Sequence, residues 1–309
     1  MNINRNNPDN WNRDIERSVA YYNNWFMNFA PSTFRRARQS AIDKVEVALG
    51  LIKSMIDLDE ELLVQNPAVL TVLRQMTCPP LACERLAGLA GVPLSVVKGF
   101  ELGKAKLATK VEYAARIVDV IREMLDTDLF SWIDADKAPT KAQRELATMV
   151  FSDRLCGALA DPLIRNEQER RQLRAIVGFV EDKGYVEAKP KTYRDLKPGE
   201  YAIHLNIDVN VGTRQIKIPG DVSILPLSGK QGDMPILIEA KSAGDYTNVN
   251  KRRKEEATKV RQLKASYGDA RFILFLGGYF DSGYLGFEAA EGIDWIWEHR
   301  INDMEMLWL

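Results

Sequence analysis

Histidine is nearly absent from the 309-residue chain, which has two, His204 and His299. That excludes a zinc hydrolase built on two or three imidazoles. It also leaves a Ser-His-Asp triad or a His-metal-finger nuclease without a suitably placed base. The three cysteines, Cys78, Cys83 and Cys156, are an odd number with no paired spacing. They argue against a disulfide framework or a cysteine-rich zinc site and for a reducing compartment. No run approaches the roughly 18 uninterrupted apolar residues of a membrane span, and the polar opening MNINRNNPDNW lacks an apolar signal core. A cytoplasmic location with no membrane partner is therefore expected. Excess charge is missing too: 42 Lys and Arg stand against 43 Asp and Glu, a net of -1. This rules out a uniformly basic coat, although not local basic patches. The chemistry left to the chain is that of carboxylates and lysine.

Hydrophobic residues make up 46% and charged residues 28%, the profile of a globular protein long enough for two domains. The first half has helical spacing. Ile15, Val19, Tyr22, Phe26 and Phe29 recur at intervals of three and four and make one apolar face. Pro31 is expected to stop this helix, with Ser32 or Thr33 capping the next. Further helices are expected through 66–77, 81–90, 94–102, 110–125 and 140–160, and a last long one at 166–183. From Tyr201 the period shifts toward two, in YAIHLNIDVNV, QIKIPGDVSILPL and PILIEAK. A helix at about 250–266 and the apolar run RFILFLGGYF follow. The reading is a helical N-terminal domain, 1–165, and an α/β C-terminal domain, 166–309.

Within the second domain, Glu239 and Lys241 lie two apart on an expected strand and so face the same side. Charges ending an otherwise apolar strand are costly to bury without a partner or a job. Asp221 starts the preceding strand, and a turn near 228–234 would bring it beside Glu239. Two such carboxylates repel unless a cation lies between them, and hard oxygen donors favour Mg²⁺. A plain strand-end ion pair remains the alternative. The order Pro219-Gly220-Asp221 followed by Glu239-Ala240-Lys241 resembles the PD-(D/E)xK nuclease superfamily, with Gly220 as an insertion between proline and aspartate. The resemblance implies an α/β (α+β) restriction-endonuclease-like core. It further implies that Asp221, Glu239 and the Ala240 carbonyl hold Mg²⁺, and that Lys241 orients or deprotonates the attacking water.

The segment after this motif is basic. From Lys241 to Lys264 there are eight basic and three acidic residues. Lys251, Arg252, Arg253 and Lys254 fall at a helix start, where the macrodipole is already positive. A polyanion there would relieve the conflict, and a solvated charged face would not explain it. Lys259 and Gln262 share a helix face that can lie over the metal site. The last 29 residues, 281–309, run the other way, with seven acids against Arg300 alone. WNRDIERSVAYYNNWF near the start and KSAGDYTNVNKRRKEEA together resemble the XamI family of type II restriction endonucleases. That resemblance implies Mg²⁺-dependent cleavage of double-stranded DNA, leaving 5′-phosphate and 3′-hydroxyl ends. It also implies a twofold homodimer, a cognate DNA methyltransferase as companion and, by family association alone, the target GTCGAC.

Residues 81–103, LACERLAGLAGVPLSVVKGFELG, resemble the phage-repressor helix-turn-helix, within a helical segment spanning 66–125. Gly91 suits the turn, and Leu86, Val92 and Val97 would share a small core. Ser95 and Lys98 are the polar side chains left to touch DNA. A packing module without base readout is the alternative. Two other functions stay open: an operator-binding regulator with an inactive nuclease-like domain, and a repair or resolvase-type nuclease.

Overall fold

A computed structural model describes residues 3–53, 58–103, 110–133, 137–246 and 253–307. It divides into two compact units, Met1–Phe29 with Arg165–Leu309, and Ala30–Ile164. Residues 1–29, expected in the helical domain, group with the sheet. The reason is polar as well as apolar. The buried Asp294 carboxylate accepts from the backbone N–H groups of Ile3, Asn4 and Arg5 at 2.6, 3.0 and 3.0 Å. Ser18 accepts from the Gly278 N–H at 2.9 Å.

The helices are α1 (Pro8–Leu51), α2 (Glu60–Gln65), α3 (Leu70–Leu73), α4 (Cys83–Ala90), α5 (Leu94–Glu101), α6 (Lys110–Glu123) and α7 (Lys141–Asp182). Then come β1 (Val186–Glu187), β2 (Glu200–Val211), β3 (Arg214–Ile224), β4 (Ile236–Ala243), α8 (Arg253–Ser266), β5 (Arg271–Gly278), α9 (Ser282–Ala290) and β6 (Asp294–Trp297). Two expected helix ends are absent. α1 runs through Pro31 and α7 through Pro162. An interior proline removes one hydrogen bond to the carbonyl four residues back. Those carbonyls belong to Met27 and Ala158, both exposed residues where water can substitute. Both prolines lie within three residues of a unit division, so they mark the boundary without ending the helix.

In the Ala30–Ile164 unit the core joins Ala41, Val45 and Leu49 of α1 to Leu86, Val97, Phe100, Ile117 and Phe151. Between α4 and α5, Gly91 adopts a left-handed φ of 62°, which costs a residue without Cβ little. The Val92 N–H then returns to the Ala87 carbonyl at 3.0 Å. Leu86, Val92 and Val97 are buried in the same cluster.

The other unit is built on one six-stranded sheet in the order β1-β2-β3-β4-β5-β6. β2–β3 and β3–β4 are antiparallel, and β4–β5 and β5–β6 are parallel. Alternation divides β4: Leu237 joins a core with Val260 and Leu263 of α8, while Ile236 and Ile238 join another with Ile176 and Val180 of α7. Odd-numbered β4 side chains thus face α8. β3 stays with β2 to the end of the hairpin but pairs with β4 only from Ile224–Ile236 to Val222–Ile238. The two strands part at Asp221, and this split positions the site.

Candidate active site

Where β3 leaves β4, a side chain takes over from the ladder. Asp221 Oδ2 accepts the Ala240 N–H at 2.8 Å, satisfying an amide that would otherwise be lost at the split. Across from it, the β2–β3 ladder is interrupted at His204, which has a left-handed φ of 53°. Such a conformation is uncommon outside glycine. Its Nδ1 lies 4.0 Å from Asp221 Oδ1, with the ring more than half exposed.

Glu239 is 6% exposed and carries two ammonium groups on one oxygen. Lys241 Nζ lies 3.0 Å and Lys259 Nζ 2.8 Å from its Oε1. Lys241 also reaches Glu256 Oε1 at 3.0 Å. The Glu256 Oε2 in turn accepts from the Tyr284 hydroxyl at 2.9 Å. Beneath the strand ends, on the α7 face, Gln172 Nε2 donates to the Lys241 carbonyl at 3.0 Å and the Phe275 carbonyl at 3.2 Å. A Cβ at Gly277 would meet the Glu298 carboxylate, which would have to shift from its Arg171 partner at 2.6 Å.

Burial, followed by the charge of Glu239, raises the Asp221 pKa above its ordinary value. For Lys241 burial works to lower the pKa, but Glu239 and Glu256 together outweigh it and the ammonium is held above its usual value. A carboxylate whose charge is opposed by a second one nearby is the electrostatic condition for a cation site. Their oxygens, with the backbone carbonyl of Ala240 directly after Glu239 in sequence, are the hard donors that Mg²⁺ takes. Among the described residues no group of three or more His, Cys, Asp or Glu is gathered as a metal cluster.

Of the residues singled out from the sequence, Asp221, Glu239, Lys241 and Lys259 come together. Gln262 lies half-buried on α8 and Lys254 is exposed. Lys251 and Arg252 lie outside the described residues, as does the side chain of Arg253. Ser95 and Lys98 are exposed on α5, and Lys98 pairs with Glu84 at 3.4 Å. Glu256, Tyr284 and Glu288 were missed by sequence reasoning. A signal was present: Glu256 precedes Val260 by four and Leu263 by seven, a carboxylate on the buried stripe of α8.

The XamI restriction endonuclease family model matches residues 53–297. The type II restriction enzyme SalI of Streptomyces albus G is 44% identical over 314 residues, an alignment covering 98% of each protein. Among solved structures, protein VC1899 from Vibrio cholerae is 14% identical with a TM-score of 0.29. That match covers 79% of this chain and 55% of the other, and at this score it carries no argument.

Proposed function

The chain belongs to the XamI restriction endonuclease family, and from that premise we propose a Mg²⁺-dependent type II restriction endonuclease whose site is the β3–β4 split. It is a site-specific deoxyribonuclease, hydrolysing phosphodiester bonds of double-stranded DNA. Asp221, Glu239 and the Ala240 carbonyl would hold the ion. The observation that carries this reading is the Asp221 carboxylate fastened to the Ala240 amide at 2.8 Å, beside a buried Glu239 already paired with Lys241.

The bound ion would supply Lewis acidity toward the phosphate and lower the pKa of water. The protein's own groups do the rest. Asp221 is oriented by a backbone bond, so it enters the reaction without rotamer search. Lys241, kept charged by its two carboxylates, favours orienting water and offsetting charge on the scissile phosphate over taking a proton. Lys259 adds a second cation next to Glu239. The expected products carry 5′-phosphate and 3′-hydroxyl ends, and the family association makes GTCGAC the first target to test.

The sheet unit is a PD-(D/E)xK domain, and α4–Gly91–α5 is a helix-turn-helix-like contact to duplex DNA through Ser95 and Lys98. The basic run Lys251–Lys254, with Lys259 and Gln262, approaches the phosphates. A palindromic target suits a homodimer with one active site per strand, and a cognate methyltransferase would protect host DNA.

Plasmid DNA incubated with the enzyme in Mg²⁺ and in chelator tests the reading. Discrete fragments that require Mg²⁺ and vanish in Glu239→Ala are expected. Structure-selective nicking would favour the repair-type nuclease, and bound but intact plasmid the regulator. Normal cutting by Glu239→Ala would sink the site.

A further inference from the structure

Lys241 ends a long flexible stem, and its position depends on what grips the ammonium. Glu239 is a contested grip, because its Oε1 also serves Lys259 at 2.8 Å and is one of the oxygens assigned to the cation. Among the described residues Glu256 pairs with one cation, Lys241. Its Oε1 meets Lys241 at 3.0 Å and its Oε2 takes the Tyr284 hydroxyl at 2.9 Å. Glu256 is 2% exposed and Tyr284 1%, so neither bond competes with bulk water. The main chain of the same lysine is fixed from the other face by Gln172.

We propose that Glu256 is a positioning residue for DNA hydrolysis: it fixes the Lys241 ammonium toward the scissile phosphate, and Tyr284 fixes Glu256. The proposal rests on the reading that Lys241 acts at the phosphate. Two observations explain why a carboxylate sits here among Ala257, Val260 and Leu263. A buried acid is strongly unfavourable unless a cation and a donor satisfy it, and Glu256 has both. Glu288, one turn beyond Tyr284 on α9, is fully buried beside Tyr284 and Glu256. Burial and then the charge of Glu256 push its pKa up to about 8. At neutral pH Glu288 is therefore mostly uncharged, which lessens its repulsion of the Glu256 carboxylate.

Steady-state cleavage of a duplex carrying the mapped site, with DNA affinity measured in chelator, tests the proposal. Glu256→Gln keeps the shape and removes the charge. Its kcat is expected to fall about 10- to 100-fold, with KM and DNA affinity within about twofold of the parent. Tyr284→Phe keeps the Glu256 charge and removes only its tether. It should lower kcat about 3- to 10-fold in the same KM-independent way, and it decides the matter alone if Glu256→Gln does not fold. Parental kcat in folded Tyr284→Phe overturns the proposal, as does a loss that appears only in KM. Lys241→Ala separates the two levels. If it is inactive while the Glu256 and Tyr284 variants are normal, only the positioning role falls. If it cuts normally, the reading of Lys241 falls as well.

Discussion

Two regions of this chain carry motif residues, and their charges are handled in opposite ways. At the β3–β4 split, Lys241 and Lys259 lie within 3.0 Å of carboxylates that are almost wholly withdrawn from water. On α5, Lys98 stands in solvent and meets Glu84 at 3.4 Å, with both side chains more than half exposed. A buried pair is costly to break because the survivor is left unpaired. An exposed pair contributes about 1 kcal/mol or less and exchanges readily. The first arrangement is suited to holding a few atoms still during a reaction, and the second to trading a carboxylate for a phosphate.

Lys241→Ala tests the contrast most severely. It should lower the cleavage rate about 1,000-fold or more, while binding in chelator changes little. A comparable loss from Lys98→Ala would erase the distinction. Next in size is Arg74→Ala, which leaves the partly buried Glu101 without the Arg74 contact of 2.6 Å. It should destabilise the helical unit by about 3 kcal/mol, read as a lower midpoint in denaturant.

The third effect is on pH. Glu288 has a folded pKa of about 8 against an ordinary 4.5, so the native state keeps a proton that the unfolded chain has already lost. Stability contributed here falls as pH rises through about 4.5 to 8. Glu288→Gln should flatten that slope and gain about 2 kcal/mol on its alkaline side, which thermal melts across pH would show. The smallest effect is Lys98→Ala, expected to reduce the salt dependence of DNA binding by about one unit of slope. An unchanged slope would move the DNA path off α5.

Much of the site was legible because strand alternation is rigid. The two-residue spacing of Glu239 and Lys241 put them on one face, and the turn before β4 brought Asp221 alongside. Gly91 likewise announced a turn that only a left-handed residue makes cheaply. Glu256 and Glu288 were harder to read, since both hold buried helix positions that ordinarily take apolar side chains. Only tertiary contact with Lys241 and Tyr284 accounts for the first of them. Pro31 misled for a related reason, and Pro162 shows the same behaviour. Pro31 and Pro162 each remove a local hydrogen bond, yet packing along α1 and α7 carries the helix onward.

The discontinuous make-up of the sheet unit sets a timetable for biosynthesis. Ala30–Ile164 has its own core, and as it leaves the ribosome it has all the partners it needs to fold as a block. The opening residues must wait: the amide of Ile3 finds its acceptor 291 positions downstream. Until β5 and β6 emerge, the stretch through Phe29 lacks its partners on the sheet. The sheet unit therefore closes only after β6 has been made.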